Sequence, residues 1–207
     1  MAKIKNIFFD YGRTVVKHPS DEAGIEIILS LGAASAEDAA VIRSAVFSPK
    51  LMSLFDVGAI TMDEYKAKVL ENLPKSLHGV ALKAADYHIS ALPIMEGMEG
   101  LLGELKARGY KLFITSNMDP YHAAQMKDTP AAKYFDGMIF SGDIKVGKPD
   151  AEFFRKACEK FGAKAEETLF IDDLADNVEG ALRFGIKGLV FGGDPDSVRA
   201  FIKSFEF

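Results

Sequence analysis

Four places in the chain set reactive side chains at or just beyond the ends of short apolar runs. Asp10 follows NIFF, Ser116 and Asn117 follow KLFIT, Lys148-Pro149 comes a few residues beyond GMIF, and Asp172-Asp173 follow TLFI. Together they offer a carboxylate able to act as a nucleophile, a hydroxyl donor, an ammonium and a carboxylate pair. A phosphoryl group spreads negative charge over several oxygens and calls for cationic and hydrogen-bonding clamps, whereas clustered carboxylates call for a divalent cation to relieve their repulsion. The set reads as a phosphate site with a metal, provided the four places meet in space.

For them to meet, the apolar runs must lie side by side as strands. NIFF, KLFIT, GMIF, TLFI and KGLVF are separated by helix-length sequence, with one much longer gap after the first. From about Gly97 onward strand alternates with helix: EGLLGELKARG closes on Gly109 and AEFFRKACEKFG on Gly162, glycines suited to helix C-termini. Such alternation implies a parallel sheet with helices on both faces, and sheets of this kind place ligands at the carboxyl ends of their strands. The long gap reads as helical: EAGIEIILSLG, AEDAAVIRSAVF and TMDEYKAKVLENL carry apolar residues at three- and four-residue spacing, and Thr61 with Glu64 forms a capping box. Pro19 and Pro93 suit the joints. The expectation is a core built from residues 1–16 and 93–207 with a helical insert over 17–92.

Composition sets further bounds. The chain has 207 residues, 48% hydrophobic and 27% charged, enough to bury a substantial core. A net charge of -5 argues against general affinity for nucleic acid or an anionic membrane, while a local basic pocket can still capture a phosphate. The single cysteine, Cys158, sits in a helical pattern as a small core residue and forms no intrachain disulfide, which fits a reducing cytosol. The opening AKIKNIFF has too short an apolar run for a signal peptide, and no stretch of about 18 apolar residues occurs. A cytoplasmic location and a small phosphorylated molecule as partner are expected, with no nucleic acid and no membrane.

With these stretches in hand, the chain resembles the haloacid dehalogenase (HAD) superfamily, mostly phosphatases that work through an aspartyl-phosphate. FFDYGRTV matches its first motif, LFITSN the second, KVGKPD the third and LFIDDLADN the fourth, in order, and the helical insert matches a type-one cap. The resemblance implies an α/β, HAD-like Rossmannoid three-layer sandwich. It implies Asp10 as nucleophile and Mg²⁺ ligand, the Gly12 carbonyl as a second ligand, and Asp173, joined by Asp172, completing the metal site in octahedral oxygen coordination. Thr14 would brace the loop, Ser116 would bond a phosphate oxygen, and Asn117 would help through its backbone. Lys148 would pair with the phosphoryl group and with Asp10, keeping the nucleophile ionised, and Asp176 or Asn177 would support the metal ligands.

Gly12 is the departure. Most phosphatases of the superfamily carry there an Asp that protonates the leaving oxygen and then activates water. Three readings stay open: a phosphatase of the branch that naturally carries Gly, resembling bacterial glucose-1-phosphate phosphatases, which GAITMDEY and FIDDLADNVEGA also favour; a dehalogenase attacking carbon; and a phosphate binder without turnover. Carbon attack with halide departure has little use for two adjacent acids, which favours phosphoryl transfer. His18, Asp21, Glu22 and Phe55 are the candidate substrate contacts of the insert. His78, His88 and His122 lack metal-ligand spacing and read as structural, and Lys145 is the nearest substitute for Lys148.

Overall fold

The apolar runs become strands β1 (Asn6–Phe9), β2 (Lys111–Ser116), β3 (Gly137–Phe140), β4 (Thr168–Asp172) and β5 (Lys187–Val190). The structure is a computed structural model and describes residues 3–86 and 92–205; His88 lies outside them. The strands form one parallel sheet in the order β3-β2-β1-β4-β5. The chain thus builds outward from β1 on one side, then returns to build outward on the other, and a crevice opens at the carboxyl end of β1. Register sets the site: Phe9 lies level with Ile114 of β2 and Ile171 of β4, so Asp10, Ser116 and Asp172 emerge at neighbouring points on one edge.

Among the described residues the insert holds the α-helices α1 (Asp21–Ser30), α2 (Ala36–Val46), α3 (Pro49–Asp56), α4 (Met62–Leu70) and α5 (His78–Ala85). The remainder, α6 (Met98–Ala107), α7 (Pro120–Ala123), α8 (Ser141–Ile144), α9 (Ala151–Phe161), α10 (Ala175–Phe184) and α11 (Pro195–Lys203), belong to the sheet's layers and rim. Because side chains alternate along a strand, Ile7 and Phe9 face one layer and Phe8 the other. Ile7, Phe9, Leu112 and Ile114 pack with Leu101 and Leu105 of α6 and with Val198 of α11. Phe8, Phe113 and Phe170 pack with Phe153 and Phe154 of α9 and Val178 of α10. Cys158 is buried in this second layer, and burial raises its thiol to about 11.

Local signals hold where the sequence was explicit. Thr61 and Glu64 form both halves of the capping box at α4, and α9 ends on Gly162 at φ 62°. Helices α3 and α5, eight residues each, add to the three expected in the insert; they are too short to show a clear period. The insert has its own apolar cluster around Ile42, Phe55, Tyr65, Val69 and Ala81.

Among the described residues, insert and core meet through hydrogen bonds at the joint and on the far side, and through Phe55, which meets the His122 ring edge-on with centroids 6.2 Å apart. At the joint, Val16 pairs antiparallel with Ile94, Lys17 N donates to Pro93 O at 2.8 Å and Met95 N donates to Val15 O at 3.0 Å; we place the division into residues 1–16 with 93–207 and residues 17–92 at this pair. On the far side, Ser141 Oγ donates to Asp56 O and Lys145 Nζ donates to Gly58 O at 2.8 Å. Among the described residues, no helix is long and apolar enough to cross a membrane.

Candidate active site

The site is built on the first strand end. Asp10, 9% exposed, is held by its N–H to Ile171 O at 2.8 Å. The chain then folds back through Val15 N and Val16 N, both donating to Tyr11 O, and Arg13 N, donating to Val16 O. Arg13 adopts φ 58°, a conformation uncommon outside glycine, and its guanidinium reaches within 4.0 Å of Asp173. Thr14 does not brace this loop as expected: its buried hydroxyl has no hydrogen-bond partner among the described residues, and main-chain bonds close the turn instead.

Lys148 lies between two carboxylates, with Nζ 2.7 Å from Asp10 Oδ1 and 2.6 Å from Asp172 Oδ2 and its side chain 1% exposed. Asn117 places it: Lys148 N donates to Asn117 Oδ1 at 2.8 Å, and Asn117 Nδ2 donates back to Lys148 O at 3.0 Å. The Asn117 side chain is therefore committed to the lysine loop, leaving its backbone for a ligand. Asp172 is likewise committed. Its Oδ1 accepts from Leu174 N, its Oδ2 from Lys148, and Asn177 Nδ2 lies 3.1 Å from both oxygens. Asp172 was expected to join Asp173 at the metal; here both of its oxygens are engaged by Leu174, Lys148 and Asn177, and it anchors Lys148. Asn177 is the buried supporting residue, while Asp176 is exposed.

Electrostatics follow from two anions and one cation taken out of water. Burial first, then repulsion from Asp172, raises Asp10 to about 6 against the pull of Lys148. Lys148 thus opposes the effect of burial on Asp10 without cancelling it. For Lys148, burial acts to lower the ammonium, but Asp10 and Asp172 outweigh it and hold it above its usual range. Asp173 is raised by burial and by Asp172, with Arg13 opposing.

These shifts bear on a cation. Asp10 and Asp173 are carboxylates that each resist ionisation, and both face one cavity with the Gly12 backbone. Among the described residues no three His, Cys, Asp or Glu side chains converge as a metal cage. An all-oxygen set of two carboxylates and a carbonyl nevertheless suits Mg²⁺, which binds through one or two carboxylates and completes its shell with water and phosphate oxygens. The residues present fit the ion.

The cavity, about 300 Å³, brings together Asp10, Ser116, Lys148, Asp173, His18 and Asp56. Ser116 is buried at the end of β2, and its hydroxyl meets no protein partner among the described residues. His18 lies over Gly12: a Cβ on residue 12 would come 3.1 Å from its ring. Burial of that ring, then Arg13, keep the imidazole below its usual value.

The other candidates fall elsewhere. Phe55 is buried in the insert, stacked on Tyr65 with centroids 4.3 Å apart. Asp21 pairs with Arg43 at 2.6 Å, and Glu22 is exposed on α1. His78 bonds Leu73 O and His122 bonds Asp119, both structural as expected. Lys145 reaches the insert rather than Asp10. Asp56 was missed, although it is the neighbour of Phe55; no motif marks it.

Comparison with known proteins agrees with this layout. Residues 5–185 match the model of a hydrolase family described as haloacid dehalogenase-like hydrolase. A sesquiterpene phosphatase of Aspergillus oryzae is 32% identical over 93 residues, covering 44% of this chain and 47% of that protein. An (S)-2-haloacid dehalogenase of Burkholderia cepacia is 32% identical over 85 residues, covering 41% of this chain and 37% of that protein. The chain thus spans half or less of the length of these curated relatives. A solved HAD-family enzyme of Bacteroides thetaiotaomicron, 23% identical, superposes with a TM-score of 0.70 over 96% of this chain and 98% of that one; the same enzyme has been solved with magnesium and inorganic phosphate. At that identity the likeness speaks to the fold. The family match over most of the sequence, on a sheet whose strand ends assemble these residues, makes the chain a member of the haloacid dehalogenase-like hydrolases.

Proposed function

We propose that the protein is a Mg²⁺-dependent phosphate monoester hydrolase acting through a phosphorylated Asp10. The observation that carries this is the buried Asp10–Lys148–Asp172 arrangement opening into a cavity with an unbonded Ser116 hydroxyl. Asp10 Oδ attacks phosphorus, Lys148 neutralises charge on the phosphoryl oxygens, and Ser116 with the Asn117 backbone donates hydrogen bonds to them. Asp10, Asp173 and the Gly12 carbonyl would hold the ion, which when bound supplies positive charge against the phosphoryl oxygens and screens the two carboxylates from each other. Water then attacks the acyl phosphate and frees inorganic phosphate.

The phosphatase relative and the Mg²⁺ and phosphate in the structural neighbour support this reading. The dehalogenase relative supports a carbon-attacking alternative, but carbon chemistry has no use for the charge of Asp173, whose ion pair among the described residues is with Arg13 at 4.0 Å. The substrate class we infer is a small phosphorylated metabolite such as a sugar 1-phosphate. An anomeric oxygen leaves more readily than a primary alkoxide, which suits a loop with glycine at position 12.

The test is hydrolysis of a panel of phosphomonoesters with Mg²⁺ and with EDTA. Turnover should require the ion, Asp10→Asn should lose ~10⁴ or more in kcat, and mass spectrometry of a quenched reaction should find phosphate on Asp10. Absence of turnover across the panel, with phosphate still bound, would leave the protein a phosphate binder.

A further inference from the structure

Gly12 leaves the leaving oxygen without a proton donor from the nucleophile loop, so the donor must come from another wall of the cavity. Among the described residues, the insert brings three side chains to that cavity: His18, Leu92 and Asp56. Leu92 has no proton to give. His18 sits over Gly12, where burial, then Arg13, disfavour the protonated ring.

Asp56 differs in three respects. It closes α3 at the edge of the insert that meets the core, and it lines the same cavity as Asp10 and Ser116. Its main chain is fixed to the core: Ser141 Oγ donates to Asp56 O while accepting from Met118 N at 2.9 Å, two residues beyond Ser116. One hydroxyl thus ties this residue of the insert to the strand end that would bind phosphate. Its carboxylate makes no hydrogen bond or ion pair among the described residues, in contrast to Asp119 nearby, which caps α7 and bonds His122.

We propose that Asp56 is the general acid and base of the reaction, supplied by the insert in place of the side chain that Gly12 lacks. The proposal rests on the phosphatase reading above. In the first step an Asp10 oxygen bonds to phosphorus, the bond from phosphorus to the leaving oxygen breaks, and the Asp56 carboxyl proton passes to that oxygen to give the alcohol. In the second, water adds to phosphorus and passes its proton to the Asp56 carboxylate. The bond to Asp10 then breaks, releasing phosphate and restoring both groups.

The surroundings suit that role. Asp56 lies near Asp119, which caps α7, His122 of α7 and Tyr65 of α4, with Lys145 bonded two residues on at Gly58 O and with Asp10, His18, Lys148, Asp172 and Asp173 lining the same cavity. Burial, then Asp119, raise its carboxyl to about 7 against the pull of His122, where both protonation states are populated at neutral pH.

The experiment compares wild type with Asp56→Asn on three esters: a primary alkyl phosphate, a sugar 1-phosphate and 4-nitrophenyl phosphate, whose leaving group needs no proton. The variant should lose ~10²-fold or more in kcat/KM on the alkyl ester, less on the sugar 1-phosphate and only a few-fold on the nitrophenyl ester. In wild type, kcat/KM for the alkyl ester should fall as pH rises through neutrality, and that limb should be missing with the nitrophenyl ester. A uniform loss across the three esters in Asp56→Asn, or a wild-type basic limb shared by all three, overturns the role of Asp56 while leaving a phosphatase. Wild type inert toward every ester overturns the phosphatase reading and this one with it. Should the variant fail to fold, the wild-type pH comparison decides alone.

Discussion

At the scale of single residues, the cost of burial, with repulsion from Asp172 added, falls on Asp10. Its carboxyl is raised, so the native state holds that proton more tightly than the unfolded chain does. The resulting stability is complete below about pH 4, falls as pH rises to about 6, and is level above that. In EDTA, Asp10→Asn should therefore be more stable than wild type at pH 8, by up to about 3 kcal/mol, with the gain vanishing toward pH 4. Thermal midpoints across that range test it; a variant less stable at pH 8 would mean that Lys148 needs both carboxylates. Gly12 poses the complementary case. An Asp side chain there must displace the His18 ring, since its Cβ alone comes within 3.1 Å. Gly12→Asp by itself should lower kcat/KM, and adding His18→Ala should recover activity; equal activity of the single and double variants would show the ring yields freely.

At the scale of elements, the strands were legible because strands buried on both faces read as continuous apolar runs: Phe8, Phe113 and Phe170 lie side by side with essentially no exposure beyond 6%. The motif residues at their ends were legible too, but not their division of labour. Adjacent acids look alike in sequence, whereas Asp172, the last residue of β4, is fully buried against Lys148, and Asp173, one residue on, is partly exposed beside Arg13. Asp56 was illegible for a different reason, since its place depends on how an eight-residue helix docks against a distant part of the chain. Helix packing gives a further test. A Cβ on Gly180 would meet Pro149 O at 2.5 Å and Pro149 Cβ at 2.8 Å, on the helix that also carries Asn177. Gly180→Ala should cost about 1–3 kcal/mol and lower kcat as Lys148 shifts. Gly100→Ala on α6, where a Cβ meets nothing within 4 Å, should gain about 0.5–1 kcal/mol. Reversal of that order in urea unfolding would refute the packing account.

At the scale of the whole molecule, insert and core each hold an apolar cluster, and among the described residues they meet at the Val16–Ile94 joint, at the bonds from Ser141 and Lys145, and at the Phe55–His122 ring contact. Ser141→Ala removes the link between Asp56 and the β2 end without touching the cavity. It should raise KM and lower kcat on alkyl esters more than on nitrophenyl phosphate, with little change in thermal midpoint; unchanged kinetics would mean the joint alone sets the approach of the insert. The acceptors at this latch are the main-chain carbonyls of Asp56 and Gly58, and both donors are side chains of the core. Main-chain acceptors exist whatever residue carries them. Apart from Gly58, whose φ of 61° and close packing on Lys145 exclude other residues, and Asp56, whose carboxyl is the proposed proton donor, the insert is free to exchange the side chains that face the cavity without losing its grip on the core. Side chains such as His18 and Leu92 can thus change with the latch intact and with Asp10, Ser116 and Lys148 beneath it left in place.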